Sequence, residues 1–402
     1  MQSEQERLKN LIFLSNEISE VKDLDVLMER ILASAREFMN CDAGSIYIIE
    51  GDQLHFSYSQ NDTLSKRLNP GEKLIYTTFS MPIASSSIAG HVAISGEILN
   101  IPDAYRIPDT CKYRFGKSYD ESTNYRTRSI LTVPLKMNNG RIIGVLQLIN
   151  ASDGDGGIVG FDIDVEPFVM YFANSAAAAL ERAQLMRQTL LRMISMAELR
   201  DPEETGNHVN RVAGYAVEIY ETLAQKNGVP RQEIDKKRDV LRMAGMLHDV
   251  GKVAISDTIL KKPDRLTDEE YAVMKQHTIL GARLFRSGSS ELDIASQEVA
   301  LNHHERFDGR GYPGFVDFMT GEPLSGGPRG KRGEEIPLFG RIVAIADVYD
   351  ALSSKRSYKE VWEEDRVLKI IQENSGTQFD PAVVGAFFAC LPNLRALAKR
   401  YP

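Results

Sequence analysis

Between Pro167 and Pro202 the chain carries no proline or glycine, and this uninterrupted stretch divides its 402 residues into two halves of different kind. Pro and Gly are the strongest helix breakers, so 166–199 reads as one long helix. Within it Phe172, Ala176, Ala179, Ala183, Met186, Leu190, Met193 and Ala197 alternate steps of four and three. Sustained over more than three heptads, that spacing is a coiled-coil seam, and the expected occupant is a second copy of the chain in a homodimer. One long helix packed on its own domain is the alternative. Pro202 and Gly206 punctuate its end.

Ahead of that helix, residues 5–39 read as two amphipathic helices. One follows Leu8, Leu11, Ser15 and Ile18, the other Leu24, Leu27, Ile31, Ala35 and Phe38 after Asp23. Strand-like segments follow at 44–50 and 53–59, then a short helix at 86–95. The segments 129–137 and 141–151 flank Asn138-Asn139-Gly140, a hairpin signal. Helices leading into strands indicate an α+β domain that ends near residue 165. From 206 onward the pattern is helical, over 207–226, 233–250, 267–285, 292–305, 338–354, 361–372 and 381–400. The Gly- and Pro-rich segment 308–336 is a long loop, well beyond an ordinary connector.

The composition, 43% hydrophobic and 26% charged, is that of a soluble globular protein of two domains. No window approaches the roughly 20 apolar residues of a membrane helix. The opening MQSEQERLKN has no secretory apolar segment, so a cytoplasmic protein without membrane partners is expected. Three cysteines, Cys41, Cys111 and Cys390, without a CxxC spacing, speak against a disulfide scaffold or thiolate zinc site. A net charge of -8 does not suit a nucleic-acid polymer as partner. An anionic substrate would need a local cationic pocket.

The chemistry concentrates in histidine. Of seven histidines, five (His208, His248, His277, His303 and His304) fall within 97 residues, several beside carboxylates. His248-Asp249 ends an apolar helix, His303-His304-Glu305 ends another, and Asp347 lies in the apolar IVAIADVYDAL. A carboxylate at that depth needs a partner or a metal ion, because burying it alone costs several kcal/mol. Glu204 precedes His208 by four residues, one helical face if the helix begins early enough. Imidazoles and carboxylates without thiolates suit first-row metal ions. Neighbours on a helix diverge by about 100°, so His303 and His304 are expected to serve two ions, with a carboxylate such as Asp249 bridging them. His55 and His91 read as satisfied core histidines.

His248-Asp249-Val250-Gly251-Lys252 resembles the signature of the HD superfamily of metal-dependent phosphohydrolases. The run from His303-His304-Glu305 to Gly311-Tyr312-Pro313 is similar to the HD-GYP subfamily, which hydrolyses cyclic di-GMP in bacterial signalling. The segments 200–212 and 346–359 fit the same subfamily, so the resemblance covers about 196–390. It implies an all-α helical bundle over 201–402, behind a linking, dimerising helix at 166–200. It implies His208, His248, Asp249 and Asp347 as one metal set, extended by His277, His303 and His304, with Glu204 beside a third ion. Two or three divalent cations follow, iron favoured over manganese or another first-row metal, with no organic cofactor. Lys252 would face the scissile phosphate, as would Arg356 and Lys359, with Arg310 a further substrate contact; Asp308 would orient a ligand histidine.

The implied reaction is in-line attack by a metal-activated hydroxide on one phosphodiester, ending either at pGpG or, after a second cut, at GMP, with Asp249 and Lys252 as catalytic residues. Cyclic GMP-AMP is the neighbouring substrate. A degenerate adaptor should have lost a ligand or Lys252, and a nucleotide phosphohydrolase leaves HHE followed by GYP unexplained. Between Pro313 and Glu335 the sequence departs from the subfamily by a longer insertion carrying Arg329, Lys331 and Arg332, either a lid or surface decoration.

The first 165 residues resemble a GAF domain, an α+β sensory fold, on SILTVPLKMNNGRIIGVLQLINA at 129–151 and the helix-then-strand order before it. Cyclic-nucleotide-binding members carry an Asn-Lys, Phe, Asp-Glu pattern. Asn150, Phe161 and Glu166 match it, but Ala151 and Val165 stand at the lysine and aspartate positions. A dimerising scaffold or a sensor of another small ligand is therefore expected.

Overall fold

The structure, a computed structural model, describes residues 4–68, 79–198, 206–324, 327, 329–354 and 362–401. Two compact units divide the chain at Met186 and Arg187. In the first, α1 (Glu4–Glu20) and α2 (Leu24–Met39) lead into β1 (Cys41–Glu50), β2 (Gln53–Asn61) and β3 (Ser80–Pro82). Then come α3 (Ile88–Ser95), β4 (Leu99–Ile101), β5 (Ile130–Lys136), β6 (Ile142–Ser152), β7 (Ile158–Val159) and α4 (Glu166–Glu198), of which the part from Arg187 belongs to the second unit. The antiparallel sheet runs β3-β2-β1-β6-β5-β4, with β7 added to β6.

Local chemistry explains the turns. Asp23 caps α2 by accepting the Asp25 and Val26 amides at 3.0 Å, and Asn40 ends the helix at φ 45°. Gly140 takes φ 86° in the β5–β6 hairpin, a conformation that costs glycine little. Pleat alternation then sorts the faces. Ile46 and its partner Leu146 point to the helix side, packing with Leu27, Ile31, Phe172 and Ala176. Val145 and Leu54 face the other way, onto Val92 of α3.

Much of the stripe expected to pair with a second copy is occupied at home. Phe172, Ala176, Ala179 and Ala183 are buried in the first unit's core, where small alanines let α4 approach the sheet closely. Leu190 is buried in the second unit against Val209 and Met246. Met186 and Met193 remain exposed, and the Ala197 side chain lies outside the described residues. His55 and His91 are half-buried rather than core: His55 meets Ser80 Oγ at 2.8 Å and His91 packs on Tyr113.

The second unit is helical: α5 (Gly206–Lys226), α6 (Arg231–Met246), α7 (Asp268–Lys275), α8 (His277–Leu284), α9 (Glu291–Asn302) and α10 (Leu338–Ser353). It closes with α11 (Glu364–Glu373), α12 (Pro381–Ala389) and α13 (Leu391–Arg400). Its core joins Val212, Tyr215 and Ile219 of α5 to Leu241, Ile342, Ile345 and Phe387. Each such side chain contributes about 1.5–3 kcal/mol on burial, which holds α5, α6 and α10 together.

Three expected helices are each broken. The run 233–250 stops at Met246 and continues as a 3₁₀ turn, Val250–Ala254; 267–285 breaks at Gln276 and 381–400 at Cys390. The first break has a steric cause. A Cβ on Gly251 would stand 1.9 Å from the His277 carbonyl oxygen and 2.4 Å from Gly281 N, so only glycine lets this turn lie against α8. No single helix among the described residues is long and apolar enough to cross a membrane.

In the insertion, Phe315–Leu324 folds back on itself through Asp317 N–H to Glu322 O and Leu324 N–H to Phe315 O, each 2.9 Å. Val316 and Phe318 pack on Ile279, Ala282 and Leu301, and Arg283 Nε donates to Phe318 O at 2.7 Å. Of its cations, Arg329 makes two 3.0 Å bonds to Glu335, Lys331 Nζ reaches Asn302 Oδ1 at 2.5 Å, and Arg332 is exposed.

Candidate metal centre

Most of the candidate ligands sit where helices end. His248 and Asp249 follow the last turn of α6, His277 opens α8, and His303 and His304 follow the last residue of α9. His208 and Asp347 lie inside α5 and α10, held by the apolar core those helices share. Seven positions separated by up to 139 residues thus reach one place because the helices carrying them pack together.

Two groups result. Ligand atoms of Asp249, His277, His303 and His304 lie within 4.8 Å of one another, and so do those of His208, His248 and Asp347. Asp249 faces both: Oδ2 is 3.3 Å from His248 Nε2, while Oδ1 is 3.1 Å from His277 Nε2 and 3.4 Å from His303 Nε2. Asp347 Oδ1 stands 3.7 Å from His208 Nε2 and 3.9 Å from His248 Nε2. The expectation that His303 and His304 would serve separate ions is not what the geometry displays. Both belong to one group, their rings 4.1 Å apart, because α9 ends at Asn302 and helical stepping no longer separates them.

The donor set fits divalent cations. His248 Nδ1 bonds Gly245 O at 2.8 Å, His277 Nδ1 bonds Met274 O at 2.8 Å, and His303 Nδ1 bonds Val299 O and Ala300 O at 3.1 Å. Carbonyls only accept, so each Nδ1 carries the proton and each Nε2 lone pair points inward. His277 Nε2 and His303 Nε2 are 3.4 Å apart. Bare lone pairs and carboxylate oxygens gathered in a buried site repel one another unless a cation lies among them.

Charge follows burial. Burial alone would raise the Asp249 carboxyl, but the Lys252 ammonium beside it holds it well below the usual range. Burial pushes His304 well below its ordinary value, helped by His303 and His277, so it is a neutral ligand at pH 7. His303 is lowered for the same first reason. Lys252 Nζ lies 2.9 Å from Asp249 Oδ2, the ion pair that its spacing of three allows. Over His304 the Tyr312 ring stacks at 4.9 Å, seated by a glycine pair: Cβ atoms on Gly311 and Gly314 would meet Arg306 N at 2.3 Å and Arg329 O at 2.1 Å.

Asp308 does not orient a histidine. Its carboxylate takes Arg306 Nη2 at 2.9 Å and the Arg310 amide at 3.0 Å, which shapes the loop, and the Arg310 side chain is exposed. The carboxylate against a ligand imidazole is instead Asp350, whose Oδ2 is 2.8 Å from His208 Nδ1. Its signal was present in the sequence as a second aspartate one turn after Asp347 in an apolar helix. Glu204, Arg356 and Lys359 lie outside the described residues.

Comparison with known proteins finds two kinds of domain along the chain. The model for the HD domain matches residues 205–352, another HD model matches 323–383, and the GAF domain model matches 23–180. A cyclic di-GMP phosphodiesterase of Vibrio cholerae is 40% identical over 243 residues, 58% of this chain and 46% of its own length. The cyclic di-GMP phosphodiesterase response regulator RpfG of Xanthomonas campestris is 38% identical, over 54% of this chain and 50% of its own. A 3'3'-cGAMP-specific phosphodiesterase of Vibrio cholerae is 39% identical, over 45% and 30%. The chain spans half or less of the length of these relatives.

Proposed function

We propose that this chain, which joins a GAF domain to an HD domain, is a metal-dependent phosphodiesterase that opens cyclic di-GMP to linear pGpG, which a second cut converts to GMP. One observation carries the reading: Asp249 turns an oxygen to each of two histidine groups, as a carboxylate shared between two cations does. Residues His208, His248, Asp249, His277, His303, His304 and Asp347 would hold the ions. Glu204, four residues before His208, is the candidate beside a third ion. Bound divalent cations supply Lewis acidity to the phosphodiester and acidify water near neutral pH.

The chain's own residues do the rest. Backbone carbonyls at Gly245, Met274, Val299 and Ala300 fix the proton on Nδ1 and aim the Nε2 edge of each imidazole inward. Lys252, 21% exposed beside Asp249, offers a cation to a phosphate oxygen that gains charge as the bond to the ribose 3′ oxygen breaks. Arg310, Arg356 and Lys359 are proposed phosphate contacts. Support for the substrate comes from the relatives' names. The cGAMP-specific relative makes cyclic GMP-AMP the competing substrate.

The metal is proposed to be iron on the family resemblance alone; the thiolate-free donor set suits manganese or another first-row ion equally. The unit before α4 is read as a sensor of a small ligand that regulates the enzyme. The protein is read as a cytoplasmic homodimer joined through α4, where Met186, Met193 and Met196 are exposed. The domain limits proposed are 1–165, 166–200 and 201–402. Elemental analysis of freshly purified full chain, beside chromatography of its products from cyclic di-GMP and cyclic GMP-AMP, tests the whole. Two or more ions per chain with pGpG or GMP from cyclic di-GMP is the expected result; a metal-free chain that cuts neither substrate refutes it.

A further inference from the structure

His208 differs from the other anchored ligand histidines. His248, His277 and His303 donate from Nδ1 to backbone carbonyls, whereas His208 Nδ1 meets a buried carboxylate, Asp350 Oδ2, at 2.8 Å. Asp350 is only 1% exposed, and it is itself gripped: Arg211 Nε donates to Oδ1 at 2.6 Å and Nη2 to Oδ2 at 3.0 Å. Arg211 sits one turn after His208 on α5, and its Nη1 donates to Tyr401 O at 2.9 Å. Arg242 from α6 reaches the Tyr401 hydroxyl at 3.5 Å.

We infer that Asp350, clamped by Arg211, is a positioning residue that sets the His208 tautomer for metal binding, with the backbone of Tyr401 as the outer anchor of the chain of contacts. A carboxylate only accepts, so His208 must carry its proton on Nδ1 and present a bare Nε2 toward Asp347. The bidentate guanidinium leaves the carboxylate one orientation and keeps it ionised in the core. Replacing Asp350 by Asn offers an amide N–H where the acceptor stood, which favours the opposite tautomer, with the proton on Nε2. The inference rests on the metal-centre reading, and its test separates the two.

The test is a Co²⁺ titration of the metal-free full chain, following d–d absorption and bound metal, with far-UV circular dichroism as the control for folding. Wild type, D350N, H208A and H304A are compared. The expected result is that D350N, still folded, binds the Co²⁺ lost in H208A about 10–100-fold more weakly, with an altered spectrum. The Co²⁺ lost in H304A should bind D350N as it binds wild type. If D350N destabilises the unit by stranding the guanidinium, D350N/R211M removes that charge and carries the same expectation. Full Co²⁺ affinity with an unchanged spectrum in D350N, while H208A loses an ion, overturns the positioning role and leaves the metal centre standing. A wild-type chain that takes up no Co²⁺ overturns both.

Discussion

Lys252 Nζ and Asp249 Oδ2 stand 2.9 Å apart, in a turn that begins where α6 ends. The same oxygen is 3.3 Å from His248 Nε2, so the ammonium borders the ligand group rather than forming part of it. K252A is therefore expected to keep its metal and lose catalysis by on the order of 10²–10³ in kcat, the loss that follows removal of one fixed charge-stabilising donor. Elemental analysis and steady-state kinetics on the same preparation check this. Loss of metal in parallel with kcat would instead make Lys252 a structural partner of Asp249.

Asp249 belongs to the group of His277, His303 and His304 and turns its other oxygen to His248 of the second group. Replacing it by Ala is expected to strip metal from both, whereas H304A should affect only the group of Asp249, His277, His303 and His304. Counting ions per chain after gel filtration in chelator-free buffer separates these outcomes. A chelator should abolish activity in the wild type, and readdition of the metal should restore it.

Gly251 is predicted to matter sterically. Its missing side chain leaves room for the His277 carbonyl, which a Cβ would meet at 1.9 Å. G251A should cost about 1–3 kcal/mol, the range for overpacking, and weaken metal binding by the His277 group even where the fold persists. Calorimetry and metal content measure the two effects. A variant with unchanged Tm and metal would show that the turn and α8 separate freely.

In the first unit, Asn150 adopts φ 60° and its side chain is fully engaged. Its Oδ1 accepts the Arg128 amide at 2.7 Å, and its Nδ2 donates to Arg126 O at 2.8 Å and Tyr125 Oη at 2.9 Å. Phe161 is buried in the core. These residues of the cyclic-nucleotide pattern are thus explained by folding. N150A is expected to lower stability by about 1–3 kcal/mol, the cost of stranding buried polar groups, read as a fall in Tm. Cyclic mononucleotides should leave the wild-type Tm unchanged.

Burial pushes the Cys41 thiol up to about 12 from an ordinary 9.0. The folded value is raised, so its contribution to stability is whole below pH 9 and is lost as pH climbs toward 12, where only the unfolded thiol has ionised. At neutral pH a disulfide reagent should modify half-buried Cys111 first, with Cys41 on the order of 10²-fold slower or more. Peptide mapping after timed labelling settles the order.

Periodicity and turn chemistry were enough to read α1, α2, β5, β6 and the long helix from Glu166, because each of these is dictated by residues within a dozen positions of one another. Residue type was enough to nominate His208, His248, Asp249, His277, His303, His304 and Asp347, since buried imidazole and carboxylate in an apolar chain call for a cation. What required the tertiary structure was direction. Helices that looked continuous at 233–250 and 267–285 break beside the site, where Gly251 lets a turn of one element lie on the backbone of another. The break frees His303 and His304 from helical geometry in the same way at the end of α9. Asp350, assigned no role from the sequence, stands where Asp308 was expected for an equally non-local reason: the hydrogen-bond partner of His208 lies 142 residues away. The stripe along α4 could not tell its own core from a second copy's surface, because spacing records which face is apolar but not what covers it.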